Sequence, residues 1–379
     1  MVRELKNCFP LYELLFALEP EITARYIRAF WTAHIYDWDN LFMGRHGKYG
    51  LETVDPWAHP LVDPPVFRPS TGLSFLNTGN DLIYAAGLLY RYRGEEGALR
   101  WAKHLARQYV RARHPETGLG ANKFTQPRQM AETADDAKTT SNFGDRAKRQ
   151  FGAEFGEIAL EGNILLHHHA ATIYGGNALI QLRLAVEPGA EAAELLEWTR
   201  QGLTSFAKYA YDEATNAVKP MFTDGQDLTG YVLRRDGHFG RAGQAPQREQ
   251  AGGRFLLSFV RCYLQTKDDY LWRVARQIGR GTGLGDLGTA PGVAVRPALG
   301  TECVDVWALF ALLDLHRATG CPDYLALAEA IGARIERATF HHGYFLPGPD
   351  HLFAKVDAVE PLALLALEAA RLGRPEAVP

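Results

Sequence analysis

The sequence predicts an all-α fold, an α/α toroid in which helical hairpins close into a ring, with long functional loops and minor β-ribbons. Three observations lead there. Apolar residues recur at helical spacing through most of the chain, strand-like alternation is weak, and one hairpin pattern recurs. At 379 residues and 46% hydrophobic, the chain can bury a large core. A single catalytic domain over residues 1–379 is the expected organisation.

Taken in order, the first informative stretch is "FMGRHGKYG", Phe42–Gly50, directly behind a helix. It gathers Arg45, His46 and Lys48 among glycines, as a helix C-terminus would and as an anion-binding loop would. The Pro-rich loop "DPWAHPLVDPP" then carries His59. In "NDLIYAAGLLYRY", residues Leu82, Ala85, Ala86 and Leu89 share one helical face, and Asp81 reads as the helix N-cap. In "ALRWAKHLARQYV" the shared face is Ala98, Trp101, Ala102, Leu105 and Tyr109.

The hairpin pattern is an apolar helix, a polar or glycine turn, then a second helix opening on a large residue and alanine. It runs from Gly94 to Ala102, from Lys267 to Ala275 and from Gly320 to Ala328 in one register. Such pairs must bury their faces against neighbouring pairs. The segments "AVKPMFTDG" and "HGYFLPG" are expected as short ribbons, and "GTGLGDLG" as the loop that ends a helix pair. The helix in "EPLALLALEAARLG" is expected to stop at Gly373.

The longest region without periodicity runs from Ala121 to Gly156, with a polar centre, "MAETADDAKTTSN". Loops of this length in a compact domain are usually functional or disordered. Phenylalanines at its edges, Phe124, Phe143, Phe151 and Phe155, favour an ordered functional loop.

Charge and cysteine exclude several classes. A net charge of −3 and the lack of a basic run argue against nucleic acid. No run approaches the ~18 apolar residues of a membrane helix. Cys8, Cys262, Cys303 and Cys321 show no CxxC spacing and no disulfide framework. The first twenty residues are broken by Glu4, Lys6, Glu13 and Glu19 and do not read as a signal peptide. Together these predict a cytoplasmic protein. No P-loop, G-x-S-x-G or dinucleotide fingerprint is present.

The candidates for chemistry are histidines and arginines. His46 and His114 each follow an arginine, in "GRHG" and "ARHP". A divalent cation needs two or three histidines with a carboxylate, and the loop positions His46, His59 and His114 suit this better than the helical triple His167–His169, which faces three directions. Loop arginines offer planar forks for carboxylates, and aromatics such as Tyr231 can stack on sugar faces.

At "ARHPETGLGANKFTQP" and "GDRAKRQFGAEFG", with "NDLIYAAGLLYRYRGEEGALRWAKHLA", the sequence resembles the polysaccharide lyase family 2 pectate lyases over residues 25 to 340. The resemblance implies an α/α toroid that cleaves polygalacturonate or oligogalacturonides by β-elimination, often exolytically, to 4,5-unsaturated products. It also implies a divalent cation, manganese first with calcium or magnesium as alternatives, held by two histidines and an acidic residue. An arginine beside one of those histidines would be the Brønsted base.

Carried onto this chain, the pair is Arg113–His114 or Arg45–His46, and the family's ligand order favours Arg113–His114. The other histidine is His59 or His46, and the acid is Asp81, where the family has glutamate. Arginine is a poor base because it stays protonated above pH ~12, so Lys123 and Tyr84 are alternatives. Arg146 and Arg149, with Arg45 and Lys48, would clamp substrate carboxylates and neutralise the charge that develops on proton removal. The rival readings are a glycoside hydrolase with two carboxylates, for which Asp37, Asp39, Asp81, Asp145 and Glu161 are candidates, a sugar epimerase using His34 and His169, and a non-catalytic carbohydrate-binding toroid.

Overall fold

The computed structural model describes residues 11–44, 47, 55–125, 146–186, 189–354 and 358–374. Arg45, His46 and Lys48, and the polar centre of the long loop, lie outside the described residues, as does the side chain of Arg146. The chain forms two compact units, residues 1–210 with 219–248, and residues 211–218 with 249–379.

The first unit begins with helices α1 (Tyr12–Leu18) and α2 (Pro20–His34), followed by the ribbon β1 (Ile35–Asp37) and β2 (Phe42–Met43). Strand β3 (Arg68–Phe75) leads into α3 (Leu76–Arg93), which turns at Gly94 into α4 (Glu96–Arg111). Strand β4 (Lys123–Thr125) pairs antiparallel with β3, setting Lys123 opposite Phe75. Then come α5 (Arg146–Phe155), the two-residue strand β5 (Ile164–Leu165), the single turn α6 (His167–Ala170) and a π-helical stretch, Ala171–Asn177. It runs on into α7 (Ala178–Val186), and α8 (Ala193–Tyr209) packs against α7.

Trp31 and Trp101 are fully buried in this unit's core, and the Trp31 indole N–H donates to the Leu82 carbonyl (2.9 Å). A separate cluster, Phe151, Ile164, Phe222, Leu228 and Leu233, lies under α5. Asp81 is not the N-cap of α3, because the helix starts five residues earlier, where the chain leaves strand β3. Tyr84 is a core residue packed against Tyr12.

The second unit holds strands β6 (Tyr211–Asp212), β7 (Ala217–Val218) and β9 (Glu249–Gln250), paired in the order β6-β7-β9. Between them in sequence, β8 (Met221–Phe222) belongs to the first unit and pairs with β5. Two hairpins follow, α9 (Gly253–Thr266) with α10 (Asp269–Gly281), and α11 (Val306–Thr319) with α12 (Pro322–Thr339). Between those hairpins lies the ribbon β10 (Gly285–Asp286) and β11 (Arg296–Pro297), and after them come β12 (Phe340–His341), β13 (Tyr344–Phe345) and α13 (Glu360–Arg371).

The all-α reading with minor ribbons is borne out, and the three matching segments are the hairpins α3/α4, α9/α10 and α11/α12. Their shared register has a structural cause. Each first helix ends on a left-handed residue, at Gly94, Lys267 and Gly320, that reverses the chain into its partner. Asp305 holds two helix starts in place. One of its oxygens accepts from the Trp307 N–H (2.8 Å) at the start of α11, the other from the Gly253 N–H (2.7 Å) at the start of α9.

Candidate functional site

Lys123 and Glu161 come together in the first unit through backbone geometry. Lys123 is placed by the β3–β4 ladder, and Glu161 by a 3₁₀ turn, Glu161–Asn163, just before β5. Its Nζ lies 3.1 Å from Glu161 Oε2 and 5.2 Å from the centre of the Phe75 ring. The carboxylate contact is an ion pair by distance rather than an aligned hydrogen bond. Both side chains are buried, so the pair is weakly screened.

His169 lies close enough to Lys123 to feel its charge. His168 and His169 lie side by side on α6 with ring centres 3.9 Å apart. The Leu166 N–H donates to His169 Nδ1 (3.2 Å), so the neutral ring carries its proton on Nε2 and presents a donor. Burial, followed by the charges of His168, His238 and Lys123, pushes the His169 pKa down to about 3, which keeps it neutral at ordinary pH. His238 comes from a loop pressed against α5 at Gly237, where a Cβ would fall 2.0 Å from Gln150 Oε1. Phe239 follows it and meets His169 at 6.3 Å and Phe151 at 6.2 Å.

The loop that carries His238 also contributes Arg235 to an open groove of about 470 Å³, lined by Lys148, Arg149, Gly152, Gly156, Glu157 and Arg235. Three cations against one carboxylate give it a positive lining. Beside it, Arg234 pairs with Glu154 (3.1 Å). Tyr231 packs on Phe151 and Phe155, each at 5.2 Å, and burial followed by the neighbouring Glu154 raises its pKa. Its ring belongs to an aromatic cluster.

The other expected residues disperse. His59 stacks flat on Trp38, with centres 4.7 Å apart. His114 organises a turn, its N–H donating to the Leu119 carbonyl (2.9 Å) and its own carbonyl accepting from Gly118 (2.8 Å). Arg113 is largely buried and donates to the Trp198 carbonyl (2.8 Å). Asp81 sits in the second turn of α3, where burial pushes its pKa up to about 7. His34 donates through Nδ1 to the Gly44 carbonyl (2.9 Å). Among the described residues, no group of three His, Cys, Asp or Glu side chains is arranged to hold a metal ion, so His59, Asp81 and His114 do not form one.

The whole chain, residues 1–379, matches the protein family described as "Periplasmic pectate lyase". It is 37% identical over 380 residues to the pectate disaccharide-lyase of Dickeya dadantii, covering 98% of this chain and 67% of that relative. The chain belongs to the pectate lyase family. It is a polysaccharide lyase.

Two solved structures are similar in shape. One is a GH76 α-mannanase of Bacteroides thetaiotaomicron (11% identical, TM-score 0.47, covering 97% of this chain and 86% of that one). The other is a sugar epimerase from a ruminal bacterium (14%, TM-score 0.44, covering 93% and 86%). At those scores neither likeness bears on function.

The family's description as periplasmic overturns the expectation of a cytoplasmic protein. That expectation rested largely on the composition of the first twenty residues, which does not decide the compartment. The scattered cysteines do not decide the compartment either, since Cys262 is simply a buried core residue. Among the described residues, no helix is long and apolar enough to cross a membrane.

Glu161, His168, His169, His238 and Arg235 were not singled out together by sequence. The signals were the run "LLHHHAAT" and the "DGHFG" turn. A helix would send the three histidines in different directions, but α6 is a single turn that hands over to a π-helix.

Proposed function

We propose that this lyase cleaves polygalacturonate or shorter oligogalacturonides by β-elimination, working from a chain end. The observation that supports this reading most is the buried Lys123–Glu161 pair, set beside His169 and joined through the His238 loop to a cationic groove. A polyuronate carries one carboxylate per sugar. Arg149, Arg235 and Lys148 can hold successive carboxylates along the groove, with arginine's fork giving two-point contact.

In the reaction, a base takes the proton on the carbon next to the uronate carboxyl group. The electron pair forms the 4,5 double bond, and the glycosidic oxygen at C4 leaves. Negative charge builds on the carboxylate as the proton departs. In this reading Lys123 and the Nε2–H of His169 would be the donors to that charge, and their burial would strengthen the interaction.

Of the two arginine–histidine pairs, Arg113 faces a cavity of about 80 Å³, too small for a uronate sugar. The proposed base is therefore Arg45, beside His46, with Lys48 as a further carboxylate contact. Such an arginine must be held near neutral by surrounding cations.

A divalent cation, manganese before calcium or magnesium, remains part of the proposal on the strength of the family resemblance. The described ligands do not fit a complete site, and no step above passes through a metal.

Ultraviolet absorbance of the unsaturated product tests the reading. Absorbance should rise with polygalacturonate and trigalacturonate, vanish on chelation and return with added manganese. New reducing ends without absorbance would mean hydrolysis and would overturn it. A rise unaffected by chelation would overturn the metal dependence alone.

A further inference from the structure

The cavity that Arg113 faces has a chemistry of its own. Its lining includes Asn80, Arg113, Gly120, Tyr174, Asn177 and Gln181, among apolar neighbours, and contains no acidic side chain. Arg113 carries five N–H donors, and its one hydrogen bond goes to the Trp198 carbonyl (2.8 Å). Among the described residues, no ion pair involves it. Gly202 lets α8 press close, since a Cβ there would fall 3.1 Å from the guanidinium.

Tyr174 supplies a second donor. Its hydroxyl oxygen accepts the Gly120 N–H (2.9 Å), which leaves the O–H proton to be donated. The π-helical stretch Ala171–Asn177 widens the helix here and puts Tyr174 and Asn177 on the same cavity. A part-buried cation without a counter-charge carries a desolvation cost, and arginine does not relieve that cost by losing its proton at neutral pH.

We propose that this cavity binds one small monovalent anion of chloride size, held by the guanidinium of Arg113 and the hydroxyl of Tyr174. The volume, about 80 Å³, fits such an ion with a few waters. The single positive charge of the lining sets the valence. The site is independent of the lyase reading, which assigns no substrate contact to Arg113.

Thermal unfolding of the full chain tests this, with sodium gluconate replaced by sodium chloride or bromide at constant ionic strength. The melting temperature should rise by a few degrees with halide and then follow single-site linkage. Arg113→Gln should lose that dependence. Should this variant fail to fold, Tyr174→Phe keeps the ring packing and should weaken apparent halide affinity about tenfold, a difference of ~1.4 kcal/mol. Crystals grown in bromide should show an anomalous peak beside Arg113. A melting temperature indifferent to halide, an unchanged dependence in Tyr174→Phe, or water alone beside Arg113 in bromide would each overturn the proposal.

Discussion

Lys123 and Glu161 face each other at 3.1 Å in the interior of the first unit, the lysine fixed by a strand ladder and the glutamate by a tight turn. The relationship matters because a buried ion pair need not add stability, whereas removing one partner leaves the other charge less well compensated. Lys123→Met should therefore destabilise the protein by about 3 kcal/mol. It should also lower kcat/KM by about 100-fold or more, through loss of a donor to the developing charge. The double variant Lys123→Met/Glu161→Leu should recover most of the stability and none of the rate. Urea unfolding and initial-rate measurements on the three proteins separate the two effects.

His169 predicts how stability responds to acid. Its folded pKa, about 3, lies below the ordinary value of 6.5. Between those values the unfolded chain binds a proton that the folded chain does not. Stability should fall as pH drops from 6.5 towards 3, by at most about 1.4 kcal/mol per pH unit from this group. The His169→Phe variant should show a flatter profile over that window in urea unfolding between pH 4 and pH 8. An unchanged slope would mean that His169 is not held neutral.

Asp305 accepts from the starts of two helices, α9 and α11, so its loss should exceed that of a single cap. Asp305→Ala should cost about 2 kcal/mol, and Asp305→Asn should recover part of it. Gly253→Ala should be comparably damaging, since its Cβ would fall 2.4 Å from the Ala308 nitrogen. Denaturant midpoints measure all three.

Lys267 occupies the left-handed turn position, φ 58°, that glycine holds in the other two hairpins. Replacing it with glycine should raise stability by about 1 kcal/mol. Gly320→Ala, at φ 68°, should lower it by a similar amount. Thermal melts of both variants check the pair.

These turns explain why the hairpins were legible in the sequence. Gly94, Lys267 and Gly320 stand at one register because each must reverse the chain, and the large residue and alanine that follow begin the next helix in a fixed phase. Local signals of this kind sit within a few residues of the structure they cause. The site is different in kind. Lys123 meets Glu161 across 38 residues only because β3–β4 pairing and the turn before β5 converge, and no local pattern encodes that distance. Asp81 looked like a helix cap because nothing in "FLNTGND" marks how early α3 begins. The compartment was misread for another reason, since neither the composition of the first twenty residues nor the cysteine spacing encodes it.

The most direct test compares initial ultraviolet rates on polygalacturonate for the wild-type protein and Lys123→Met, at a temperature where both are fully folded. The account predicts a steady rise for the wild type and a rate lower by about 100-fold or more for the variant. Equal rates would show that the Lys123 cluster is not where the elimination takes place.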